Sequence, residues 1–223
     1  MVSDVGGSTI YAVDPRTNQV VTTIKTAELR GTEGSIGVGE GAVWVVISED
    51  RNRVLARYDA KTGTEVARIA LPSTSSGVLV DFGAVWVTGT EKSELYRIDP
   101  ESNRIAAAIA LHARPRFLTS SEGSVWVLNQ LDGTVQRIDG KTGTLLATIE
   151  AGANGAGGDI ASGGGFIWVT SLVLPVIQID PTTNSLRGKF RGPNGVDMGD
   201  AIRYGGGSLW VSGGSVFRIT PPE

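Results

Sequence analysis

The sequence predicts an all-β repeat fold, on three observations: a near-constant tryptophan spacing, a recurrent turn motif in step with it, and no stretch with a helical apolar period. The five tryptophans Trp44, Trp86, Trp126, Trp168 and Trp210 stand 42, 40, 42 and 42 residues apart. Each follows a glycine by three positions (Gly41, Gly83, Gly123, Gly165, Gly207), is preceded by Val, Ile or Leu, and is followed by valine. The unit G-x-[VIL]-W-V reads as a tight turn opening a β-branched and aromatic strand.

The second marker is D-x-x-[ST]-[NG], opened by Asp14, Asp59, Asp99, Asp139 and Asp180 and closed by Asn18, Gly63, Asn103, Gly143 and Asn184. Aspartate accepts main-chain hydrogen bonds, proline (Pro15, Pro100, Pro181) presets φ, and Asn or Gly tolerates the left-handed conformation that ends such a turn. A strand must therefore lie on each side. Ile24, Ile69, Ile109, Ile149 and Phe190, ten residues past each Asp, mark the outer ones. Ile219-Thr220-Pro221-Pro222 is a sixth, degenerate copy.

Each period thus holds four short strands, as in Ile36 to Val38, the tryptophan strand, Val135 to Ile138, and Leu145 to Ile149. Four strands in about 42 residues is the blade of a β-propeller, in which a sheet buries its faces only by stacking on its neighbours. We expect one domain over residues 1–223: a half-blade at 8–26, blades at about 35–69, 76–109, 116–149 and 158–190, and a closing partial blade at 196–220. The strand count is 21, favouring five blades closed by the N- and C-terminal strands, with six blades, one incomplete, as the rival. Burial between blades accounts for all five indoles without a ligand, each covering about 200 Å².

Composition excludes much chemistry. There is no cysteine and one histidine, which removes disulfides, thiolate metal sites, cysteine nucleophiles and multi-histidine clusters. Twenty Lys and Arg against 23 Asp and Glu give a net charge of −3, so no nucleic-acid footprint is expected. No apolar run approaches a membrane span, and residues 1–25 carry no basic stretch followed by an apolar one, so no signal peptide is expected there. Residues 155–158, 163–165 and 205–207 are glycine-rich but lack the Gly-Lys-Ser/Thr of a phosphate loop. No G-x-S-x-G elbow or EF-hand spacing is present.

The phrases Trp86-Val87-Thr88, Trp168-Val169-Thr170 and Trp126-Val127-Leu128-Asn129, followed by R-I-D-P-x-x-N or R-I-D-x-x-T-G, with Gln178 in place of the Arg after Trp168, resemble YVTN-type β-propeller repeats, with Trp in place of Tyr. Gly39-Glu40-Gly41-Ala42-Val43-Trp44-Val45 and Asp99-Pro100-Glu101-Ser102-Asn103 are similar to repeats of bacterial extracytoplasmic proteins and of the streptogramin B lyase family. The resemblance implies the fold and an extracytoplasmic setting, periplasmic, secreted or surface. Lyase-like members are understood to hold a divalent metal with histidines and a glutamate; with His112 alone, that activity is not carried over.

The loops joining one blade's outer strand to the next blade's inner strand carry the irregular charge and are the expected ligand surface. From them we select Arg114, Arg116, Asp159, Asp200, Glu33 and His112, with Asp159 and Asp200 facing Arg116. Ordinary solvated loop charge is the competing reading. Arg57, Arg97, Arg137 and Arg218, two residues before the turn position, are expected to be structural, their stems along the sheet and their heads in water or on a turn carboxylate.

The expected function is a noncatalytic scaffold that binds a protein or a small polar ligand, as the outer part of a longer bacterial polypeptide, monomeric or dimeric if its ring is incomplete. No cofactor is expected. Two alternatives stand beside it: a metal-dependent lyase or hydrolase using a divalent cation at Asp159, Asp200 and His112, and a propeller fragment or engineered repeat assembly without selected activity.

Overall fold

A computed structural model describes residues 2–3, 8–26, 34–49, 52–155, 157–172, 174–191 and 199–221. The described residues hold strands and turns and no helix. They form six antiparallel sheets. The first has β1 (Val2–Ser3), β2 (Thr9–Asp14) and β3 (Gln19–Lys25). The second has β4 (Ile36–Gly39), β5 (Ala42–Glu49), β6 (Asn52–Asp59) and β7 (Glu65–Leu71), and the third has β8 (Ser75–Asp81), β9 (Ala84–Gly89), β10 (Glu94–Asp99) and β11 (Arg104–Ala110). Then follow β12 (Pro115–Ser121), β13 (Ser124–Asn129), β14 (Thr134–Asp139) and β15 (Leu145–Glu150), and β16 (Ile160–Gly163), β17 (Phe166–Ser171), β18 (Leu174–Asp180) and β19 (Ser185–Phe190). The last has β20 (Ala201–Gly205), β21 (Ser208–Ser212) and β22 (Val216–Ile219). The chain divides into two compact units, residues 1–108 and 109–223.

The repeat motifs do what their chemistry demands. The hairpin before each tryptophan strand is a two-residue turn with both central residues at positive φ, for example Phe82 (55°) and Gly83 (67°), which matches the strand twist. Each aspartate turn is knit by its carboxylate: Asp59 Oδ1 accepts from the main-chain N–H of Lys61 at 2.9 Å and of Thr62 at 2.8 Å, and Asp139 Oδ1 repeats this with Lys141 and Thr142. The closing residues all take the left-handed conformation, φ between 54° and 75°.

The tryptophan spacing has a hydrogen-bond reason as well as a packing one. In all five sheets the indole Nε1 donates to the carbonyl five residues earlier, at the end of the inner strand: Gly39, Asp81, Ser121, Gly163 and Gly205, at 2.9–3.3 Å. A buried indole N–H needs a partner, and this one is supplied by the repeat itself. The ring then packs on the next sheet. In the first unit Trp44 joins Val78, Val85 and Val87 in one core; in the second Trp126 meets Ile160, Ile167 and Val169, and Trp168 meets Ile202, Leu209 and Val211. Inner strands lie side by side within each unit, β4 beside β8 and β12, β16, β20 in order.

Two expectations need correction. Four indoles are fully buried, but Trp210 is 43 % exposed, because no following sheet within its unit covers it. Among the described residues the strand count is 22, because Val2–Ser3 pairs with Ile10 and Tyr11 to make a third strand in the first sheet.

Candidate functional site

Two of the repeated arginines join neighbouring sheets. Arg57 and Arg137 stack on Trp44 and Trp126 at 4.9 Å, then reach the turn of the next sheet. Arg57 donates to the Pro100 carbonyl at 2.5 Å and to Asn103 Oδ1 at 3.0 Å; Arg137 donates to the Pro181 carbonyl at 2.6 Å and to Asn184 Oδ1 at 3.0 Å. They are inter-sheet clamps. The heads meet a main-chain carbonyl and an amide oxygen of the next sheet's turn in place of the expected turn carboxylate.

In the second unit, the connections that enter β12, β16 and β20 and those that leave β13 and β17 lie at the same end of their sheets, and most selected residues lie there. Asp159, just before β16, is buried. It accepts from the N–H of Ile160 at 2.8 Å and of Ile202 at 3.2 Å, and pairs with Arg203, whose side chain is 64 % exposed. Burial lifts its carboxyl above the ordinary carboxylate range, against the pull of Arg203 and of the two N–H donors. Asp200 is half-buried and accepts from the Gly158 N–H. Thr170 ties the two together: its Oγ1 accepts from Asp159 N at 3.1 Å and donates to the Asp200 carbonyl at 2.5 Å. Gly158 is required, since at φ +90° an added Cβ would stand 2.2 Å from the Thr170 carbonyl oxygen.

The acidic pair is thus brought together, but its cation is Arg203 and not Arg116. Arg116 lies over the Phe117 ring at 4.7 Å. Arg114 is exposed, with φ 59°, and its carbonyl accepts from Gln130 N at 3.0 Å. His112 belongs to a second network. A ring nitrogen lies 2.7 Å from Asp132 Oδ2, and its main-chain N–H donates to buried Gln136 at 2.7 Å. Buried Asn129 donates to Gln136 and Thr134, each at 3.0 Å. Burial alone would raise the Asp132 carboxyl, but hydrogen bonds from Thr134 and His112 hold it below its usual value. Glu33, like Glu28, Arg30 and Asp197 of the same loops, lies outside the described residues.

Arg203, Thr170 and Asp132 are the residues that sequence reasoning passed over. Thr170 stood in the tryptophan motif and Asp132 in an Asp-Gly turn, whereas Arg203, inside an inner strand, carried no signal. Among the described residues no group of three or more His, Asp or Glu side chains is arranged to hold a metal ion. What the arrangement offers is polar recognition: charged heads at the surface, each anchored by a buried or hydrogen-bonded partner.

Stacked four-stranded antiparallel sheets with inner strands abreast define the protein as a β-propeller built of blades. The chain belongs to the family of outer membrane protein assembly factor BamB, whose model matches residues 6–146. No curated protein matches it. Among solved structures it is similar to a chain in the crystal structure of a mitotic checkpoint complex (TM-score 0.76, 10% identity, covering 97% of this chain and 70% of that one). It is also similar to virginiamycin B lyase from Staphylococcus aureus (TM-score 0.67, 20% identity, 86% of this chain and 68% of that one). At these identities the two structures share the fold.

Proposed function

We propose that the protein is a noncatalytic, extracytoplasmic β-propeller scaffold of bacterial origin that recognises a protein or a small polar ligand through the loop end of its second unit. The observation that supports this reading is the anchoring of exposed charge. The Arg203 head is held by buried Asp159, and the His112 ring by Asp132, so that polar groups are presented with little conformational freedom left to lose on binding. Belonging to a family described as an outer membrane protein assembly factor favours a protein partner and a setting outside the cytoplasm. The YVTN-like wording of the repeats agrees with that setting. No helix among the described residues is long and apolar enough to cross a membrane.

The test is quantitative affinity capture from a bacterial envelope extract, with the wild-type chain beside an R114A/R116A/R203A variant of matched melting temperature. A protein enriched on the wild type and lost from the variant supports the reading. Indistinguishable captures overturn it.

A further inference from the structure

The connection between second and third strands is polar in one sheet and tipped with leucine in the next two. In the third sheet it reads Thr90-Glu91-Lys92-Ser93. In the fourth it reads Gln130-Leu131-Asp132-Gly133, with Leu131 58 % exposed at its tip, and in the fifth it opens on Leu172, 49 % exposed. Both of these sheets, β12–β15 and β16–β19, have all four strands, so no missing strand uncovers the leucines. The turn in the fourth sheet cannot fold its tip inwards. Gly133 N–H donates to the Asn129 carbonyl at 2.9 Å, and Asp132 Oδ1 accepts from the Thr134 N–H at 3.1 Å and from its hydroxyl at 2.9 Å.

Buried Gln130 fastens this turn to the loops on either side. Its N–H donates to the Arg114 carbonyl at 3.0 Å, and the Leu131 N–H donates to the Ala113 carbonyl at 3.4 Å, so residues 113–114 run antiparallel beside 130–131 and Arg114 stands next to Leu131. The Gln130 side chain donates to the Gly157 carbonyl at 2.7 Å, and its own carbonyl accepts from the Gly155 N–H at 3.0 Å. Gly157 in turn abuts Leu172 and Asp200: an added Cβ would stand 2.5 Å from Leu172 Cγ and 2.8 Å from Asp200 Oδ1. Two leucine tips therefore flank one buried glutamine. Arg114 holds φ at 59°, a conformation disfavoured for a residue with a Cβ, and no ion pair holds its guanidinium among the described residues. Asp132, the carboxylate of the turn, is already taken by His112 and Thr134.

We propose that this patch docks a segment of a partner protein in which a carboxylate lies beside a large apolar side chain, the carboxylate on Arg114 and the apolar group over Leu131 towards Leu172. The proposal rests on the loop end being the recognition surface and names the chemistry it takes. The charge fits an acidic segment, because a guanidinium with no acid of its own can hold a carboxylate through two parallel hydrogen bonds, whereas Asp132 is occupied by its own donors. The apolar part fits because the turn that carries Leu131 is fixed by main-chain hydrogen bonds on both sides and loses little freedom when covered. An anionic bilayer does not suit the patch: Asp132 adjoins Leu131, Asp200 adjoins Leu172, and the chain carries a net charge of −3.

The probe is a phage-displayed library of random dodecapeptides selected on the wild-type chain, with the leading peptide then measured by fluorescence polarisation. Selected peptides should share an Asp or Glu adjacent to, or one residue from, a Leu, Ile or Phe. The leading peptide should bind Leu131→Asp and Arg114→Glu about tenfold or more weakly, and lysine in place of its acid should restore binding to R114E. Both replaced side chains are exposed, so L131D and R114E should melt with the wild type. No shared pattern, binding indifferent to either substitution, or an association with phosphatidylglycerol vesicles or with a second copy of the chain that L131D abolishes overturns the proposal. An envelope protein captured by the wild type, lost from R114A/R116A/R203A and still captured by L131D upholds the recognition surface and overturns the acidic–apolar partner.

Discussion

Replacing Arg137 with alanine removes a stack on Trp126 and, besides it, four hydrogen bonds: to the Pro181 carbonyl and Asn184 Oδ1 of the next sheet, and to Ser124 Oγ and the Glu122 carbonyl of its own. The two inter-sheet bonds come from a charged donor, and one of them serves the carbonyl of Pro181, a buried residue. Charged-donor bonds and a partly desolvated cation–π contact together predict a loss of about 2–4 kcal/mol, since the guanidinium is only half-buried. For a chain of this size that lowers the melting temperature by roughly 5–12 °C in differential scanning calorimetry. Lysine should recover little, because one ammonium cannot span carbonyl and amide oxygens while stacking on the ring. A double-mutant cycle with Asn184→Ala isolates the clamp and should return a coupling of about 1 kcal/mol. An R137A protein that melts within a degree of the wild type, or a coupling of zero, would show that the arginines decorate the sheets without joining them.

Three further outcomes follow from the packing and the charges. Trp126→Ala should cost about 3–5 kcal/mol by chemical denaturation and Trp210→Ala less than half of that, because only the former ring is fully buried; equal losses would contradict the assigned burial. Gly158→Ala should abolish soluble expression or lower the melting temperature sharply, since the added methyl meets the Thr170 carbonyl in a backbone conformation hostile to alanine. The pH dependence has two limbs of opposite sign. Asp59, Asp139 and Asp180 are held below the ordinary carboxylate value chiefly by turn N–H donors, and Asp99 chiefly by the Ser102 hydroxyl. Their contribution is present above that value and is lost as pH falls through the folded-state values. Asp159, raised by burial, contributes stability below the ordinary value that is lost as pH rises through its folded-state value. Melting curves from pH 2 to pH 7 should show both, and Asp159→Asn should flatten only the upper limb.

The blade pattern was open to sequence reasoning because every repeated residue answers a local demand. Gly83 sits where φ must be positive, Asp59 where main-chain donors converge, and each tryptophan five residues from the carbonyl that takes its N–H. The clamp was half legible: Arg57 and Arg137 each precede, by one repeat, a Pro-x-x-Asn turn, at 100–103 and 181–184. The candidate site was less so. Loop charge points to Asp159 and Asp200, but it points to Arg116 as their cation, one sheet too early, whereas Arg203 arrives from a neighbouring inner strand.

Sequence alone determined the period, the strands, the turns and the residues that stack, because these depend on contacts within one repeat or between adjacent ones, and repetition makes such contacts visible. Tertiary structure alone decided which charge meets which. It buried Asp159 and gave it Arg203, fixed His112 on Asp132, and left Trp210 uncovered at the last sheet, because pairing between side chains far apart in the chain depends on distances that only the stacked sheets set.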